Sequence, residues 1–114
     1  MLISIEQTGE ALVCRLAGNL EQHTAPELRS AVAGLPATGR VVFELSSVPF
    51  VDSSGLGALI GAVRRIREMG GEVVLCAPRP SVDRVLKMVG LPRIVPVLPA
   101  LGDVTSFFSD PVVA

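Results

Sequence analysis

Two short apolar runs, Val41–Leu45 and Val73–Cys76, stand on either side of one long helical repeat. Each run is short, and the first is bounded by polar residues, the reading of a strand buried in a sheet. Between them, from about Ser53 to Met69, Leu56, Leu59, Ile60, Val63 and Ile66 fall on one helical face. Gly70-Gly71 stop that pattern. Strand, helix and strand in this order imply a parallel pair joined by a right-handed crossover.

The rest of the chain extends the same alternation. Leu2–Gln7 and Ala11–Ala17 read as strands of a hairpin turning at Thr8-Gly9-Glu10. His23-Thr24-Ala25-Pro26-Glu27 opens a helix. Thr24 is the expected cap, Glu27 completes a capping box, and Pro26 sits in the first turn, where no intrahelical donor is lost. Leu28, Ala31, Val32 and Leu35 carry that helix, and Gly34 with Pro36 ends it. Arg79-Pro80-Ser81 opens a third helix with Val82, Val85, Leu86 and Val89 facing in, ended by Gly90. Ile94–Val97 reads as a last short strand. Leu101, Val104, Phe107 and Phe108 read as a last short helix, with Phe107 or Phe108 packing on the core. The expected fold is therefore α/β: one domain over residues 1–114, with residues 110–114 as a flexible tail. Its mixed sheet has an N-terminal hairpin followed by parallel strands, and about four helices pack against it.

Composition excludes several classes of function. The chain is 49% hydrophobic, with a mean hydropathy of +0.56. No apolar run approaches the roughly 20 residues that a membrane helix needs, so no membrane is expected. The start, M-L-I-S-I-E-Q, has no basic region before an apolar one, unlike a signal peptide; the expected location is cytoplasmic. Net charge is −1, and there is no Trp or Tyr, so neither a basic field nor a stacking platform invites nucleic acid. Cys14 and Cys76 have no metal-ligand spacing and read as small core hydrophobes. No metal or cofactor is expected.

The chemistry gathers at V-P-F-V-D-S-S-G-L-G-A-L, Val48 to Leu59. With Ser54 set at zero and each residue stepped by 100°, Leu56, Leu59, Ile60, Val63 and Ile66 turn toward the sheet. Gly57, Ala58, Gly61, Arg65 and Glu68 turn with Ser54 away from it. Glycine inside a helix costs about 1 kcal/mol relative to alanine, so two of them on an outer face need a reason. Either a partner approaches closely there, or a neighbouring loop of the same chain does.

Asp52 or Ser53 can cap the helix, but capping needs one residue, not three. A phosphate loop lacks GxxxxGK[ST] and a nearby lysine, although a helix N-terminus can still hold an anion. A serine hydrolase lacks GxSxG, and the single histidine, His23, lies at another helix start. One histidine and two scattered cysteines make no metal site. A phosphorylatable serine suits an exposed helix start: the added charge is tolerated by the helix dipole but repels a partner docked beside it.

Three segments together resemble the STAS domain: G-N-L-E-Q-H-T-A-P-E-L (Gly18–Leu28), V-V-F-E-L-S-S-V-P-F-V-D-S-S-G-L-G-A-L (Val41–Leu59) and G-G-E-V-V-L-C-A-P (Gly70–Pro78). More narrowly, nearly the whole chain is similar to the stand-alone bacterial anti-sigma-factor antagonists. That resemblance implies a non-enzymatic partner switch. The unphosphorylated protein would bind an anti-sigma factor with serine kinase activity and free a sigma factor. Phosphorylation of the serine after the Asp, here Ser53, would end binding, and a serine phosphatase would reset it. The implied docking surface comprises Asp52, Ser53, Ser54, Gly55, Leu56, Gly57, Ala58 and Gly61, with Glu21, His23 and Thr24 from the loop beside it. Where many members have G-x-L-D, this chain has Gly18-Asn19-Leu20-Glu21, with a longer acid. Two other readings share the site: a ligand- or nucleotide-sensing STAS module, and a small enzyme with Ser53 or Ser54 as nucleophile. A weak homodimer through apolar surface is also compatible with the sequence.

Overall fold

A computed structural model of the chain describes residues 1–36 and 39–108. The strands are β1 (Leu2–Thr8), β2 (Ala11–Ala17), β3 (Arg40–Ser47), β4 (Glu72–Cys76) and β5 (Val97–Leu98). The helices are α1 (Ala25–Ala33), α2 (Ser53–Glu68), α3 (Pro80–Met88) and α4 (Leu101–Phe108). The strands lie in the sheet in chain order, with β1 antiparallel to β2 and all other neighbours parallel. This is the expected mixed α/β sheet.

Side chains alternate across the sheet, as the two-residue period of a strand requires. Cys14, Leu16, Val41, Phe43, Leu45, Val73 and Leu75 face one layer, where they meet Leu28 and Val32 of α1, Leu59 and Val63 of α2, and Val82 and Leu86 of α3. Ala11, Val13, Val42, Val74 and Cys76 face the other, under Val104 and Phe108 of α4. Each cysteine is buried on a different face, so the two thiols are held apart. Glu44, within the run read as apolar, is the one buried charged side chain among the described residues. It faces the α4 side, where Arg15 pairs with it at 3.0 Å and with Glu6.

Four local expectations are corrected. Of residues 94–97, only Val97 belongs to the last strand. Leu91–Arg93 is a 3-10 turn, and pairing is confined to Val97–Leu98. Pro92 sets the backbone for the turn, and Pro96 has no N–H to give a sheet; only its carbonyl joins the ladder, accepting from the Leu75 N–H at 2.9 Å, and paired residues begin at Val97. Val89 does not face in. The helix ends at Met88, and Val89 is 51% exposed in its cap. Thr24 makes no side-chain cap to α1; its hydroxyl donates to the Asn19 carbonyl at 2.6 Å and accepts from the Glu21 N–H at 2.9 Å. Ala58 does not face outward (below). Phe108 packs on the core as expected. The side chain of Phe107 and the tail expectation lie outside the described residues.

Candidate docking surface

Asp52 organises the start of α2. Its backbone is extended (φ −102°, ψ −176°), and its Oδ1 accepts from the Gly55 N–H at 2.8 Å. This is an N-cap that satisfies one of the four free amides of the first turn. Its Oδ2 accepts from the Gln22 N–H at 3.2 Å. One carboxylate therefore caps the helix and anchors the loop before α1.

The backbone joins the same two segments. The Leu20 N–H donates to the Phe50 carbonyl at 2.9 Å, and the Asp52 N–H donates to the Leu20 carbonyl at 3.1 Å, a one-residue parallel bridge. Within the loop, Glu21 Oε1 accepts from the His23 N–H at 3.0 Å. Glu21 and Thr24 are half-buried and His23 is exposed. The fold thus brings Glu21, His23 and Thr24 beside Asp52, through contacts that no local pattern encodes.

Gly55 explains why the two segments can lie so close. A Cβ there would fall on the Leu20 carbonyl, so the helix can approach this loop only with glycine at that position. Gly55 is buried and serves the fold, not an outside partner. Leu56 is also buried. Ala58, placed outward by projection, is only 1% exposed. Projection about a single axis takes the sheet as the only buried side. Here α1 packs along α2 as well, and the buried arc extends from Leu59 and Val63 through Ala62 to Ala58.

What remains outside is Ser53, Gly57 and Gly61, all exposed, with Ser54 half-buried. A Cβ at Gly57 or Gly61 would meet nothing within 4 Å. No loop of the described chain covers them, which removes one of the two reasons considered for these glycines. Among the described residues, neither Ser53 nor Ser54 makes a side-chain hydrogen bond, and no base is set on either. Sequence reasoning missed Phe50, which is 52% exposed on the loop that leads into Asp52. It stands in the apolar stretch Val48–Val51, whose two valines are buried, so the sequence held no signal that Phe50 alone would face out.

A profile of the STAS domain matches residues 3–104. The chain belongs to the STAS-domain family. Among relatives of known name, it is 35% identical over 98 residues to the anti-sigma F factor antagonist of Paenibacillus polymyxa, covering 83% of this chain and 84% of that one. The crystal structure of an anti-sigma factor antagonist from Mycobacterium paratuberculosis superposes with a TM-score of 0.76 at 28% identity, covering 93% and 92% of the two chains. The anti-sigma factor antagonist SpoIIAA in its unphosphorylated form superposes with a TM-score of 0.72 at 24% identity, covering 97% and 99%, and shares the STAS fold. A structure of the Bacillus SpoIIAA in its phosphorylated form also matches, with a TM-score of 0.68 at 24% identity over 94% and 99%.

The two thiols lie away from this surface. Burial pushes Cys14 up to about 11. Burial, with Glu44 nearby adding to it, pushes Cys76 up to about 12. Both remain protonated near neutral pH and are poor nucleophiles there. Among the described residues, no helix is long and apolar enough to cross a membrane.

Proposed function

We propose that this STAS domain is an anti-sigma-factor antagonist switched by phosphorylation of Ser53. The unphosphorylated form binds an anti-sigma factor that is also a serine kinase, and a sigma factor is released. Phosphorylation ends that binding, and a phosphatase restores it. The chain acts as a binding protein and not as an enzyme. The observation that carries this reading is the exposed Ser53 hydroxyl at the start of α2, beside the uncovered Gly57 and Gly61. The names of its relatives, and the two forms in which SpoIIAA has been solved, support it.

The physical switch is local. A phosphate on Ser53 adds roughly −1.5 to −2 charges at the positive end of α2. The fold tolerates that charge, while a partner seated on Gly57 meets a bulky, hydrated dianion. Asp52 is already committed to the Gly55 and Gln22 amides and stays in place as a second negative charge.

The test is incubation with candidate anti-sigma kinases and ATP, followed by mass spectrometry to locate the phosphate. Phosphate on Ser53 is expected. A Ser53→Asp variant that stays folded should lose kinase binding in calorimetric titration; unchanged affinity sinks the switch.

A further inference from the structure

The groove between α1 and α2 has a chemical character of its own. Val32 and Ala33 of α1 and Ala58, Gly61 and Ala62 of α2 form its floor, and Arg29, Arg64 and Arg65 stand around it. All three arginines are exposed, and among the described residues none has an ion pair or side-chain hydrogen bond. Four other arginines are engaged: Arg15 and Arg40 pair with glutamates, while Arg67 and Arg79 donate to the carbonyls of Ile94 and Ser46. Among the described residues Arg84 and Arg93 are also unpaired but do not line this groove. Arg65 in the last turn complements the negative end of α2. That leaves Arg29, on the other helix, and Arg64 without such a role.

We propose that this groove seats an acidic segment of the anti-sigma partner, with its carboxylates held by Arg29, Arg64 and Arg65. The proposal rests on the function above and extends its contact region from Gly61 toward the end of α2. The small floor residues and the missing side chain at Gly61 admit a chain closely, and guanidinium groups hold carboxylates bidentately. A longer polyanion such as nucleic acid fits worse. Along α2 it would run from the arginines toward Asp52 and Glu21, and Glu68 already stands on the groove's rim. A protein segment can carry its carboxylates at one end only.

The groove shares Gly61 with the surface beside Ser53, but its arginines lie far from the switch. Eleven residues separate Ser53 from Arg64 on α2, or roughly 17 Å at 1.5 Å per residue. That exceeds the screening length of about 8 Å at physiological salt. Phosphate on Ser53 therefore leaves the arginines free to attract.

The direct test is a titration of the ¹⁵N-labelled full chain with hexaglutamate, hexalysine or hexathymidylate. Hexaglutamate should shift the amides of Arg29, Ala33, Gly61 and Arg65, and an R64E/R65E variant should lose those shifts. An R84E/R93E variant, with the same change in net charge elsewhere, should keep them. No shifts with hexaglutamate, or stronger ones with hexathymidylate, overturn the proposal. With the kinase that phosphorylates Ser53, R64E/R65E should bind about ten-fold more weakly at low salt and R84E/R93E as wild type. Normal phosphorylation of Ser53 with unchanged affinity in R64E/R65E refutes the groove and leaves the switch standing. Failure of any anti-sigma kinase to bind or phosphorylate even the wild-type chain refutes the switch, and with it the groove's assignment to that partner.

Discussion

Gly55 and Gly57 lie two positions apart in the first turns of α2, and the fold uses them in opposite ways. Gly55 faces inward, where the Leu20 carbonyl occupies the space a side chain would need. Gly57 faces outward into open space. The inner glycine is required by packing within the chain. The outer one weakens its own helix and gains nothing from any contact inside the described structure. Structural demand is thus met on one side of the helix and absent on the other, where an outside partner has room.

The largest expected effect breaks the inner side. Gly55→Ala should destabilise the fold by about 3 kcal/mol, the upper part of the usual range for overpacking, because the obstacle is backbone and cannot rotate away. Chemical denaturation followed by circular dichroism measures it; wild-type stability would show that the loop moves aside freely. Next comes the cap. Asp52→Ala removes the acceptor of two amides and should cost about 1–2 kcal/mol, with the Gln22 and Gly55 amides exchanging faster with deuterium. A loss confined to Gly55 would mean that the carboxylate does not hold the loop.

The outer side should respond with the opposite sign. Gly57→Ala and Gly61→Ala should each raise stability by about 1 kcal/mol, read as a higher denaturant midpoint. Each should also weaken binding to an anti-sigma kinase. Higher stability with undiminished binding would show that no partner uses this face.

A last prediction concerns the protected interior, away from both glycines. The folded thiol values, about 11 for Cys14 and about 12 for Cys76, lie above the ordinary value of 9.0. Above pH 9 the unfolded chain therefore releases protons that the native chain retains. Their contribution to stability is complete below pH 9 and is lost as pH rises toward 11 to 12. Urea midpoints at pH 8 and pH 10.5 should fall in that order, and a Cys14→Ala, Cys76→Ala double variant should show a smaller fall.

Much of the fold was legible because its signals are local. The β-β-α-β-α-β-α-β-α order follows from periods of two and 3.6, which neighbouring residues carry by themselves. Errors arose where a local rule met a distant neighbour or a proline. Thr24 fits a capping box, yet its hydroxyl is taken by Asn19 and Glu21 across the loop. Residues 94–97 look apolar enough for a strand, but Pro96 delays the pairing. Glu44 sits in a buried run because Arg15, on the neighbouring strand, meets it there.

The sequence by itself determined that a carboxylate, two hydroxyls and two glycines would gather at the start of a helix leaving a parallel strand. Spacing is a property of the chain and survives without any knowledge of its neighbours. Only the tertiary structure decided which of those residues are spent on the fold. Asp52 and Gly55 are engaged by the loop around Leu20 and Gln22, and Ala58 by α1. Ser53, Gly57 and Gly61 are left facing out. Burial depends on what packs against a position, and the segments that pack here come from more than twenty residues away in the chain.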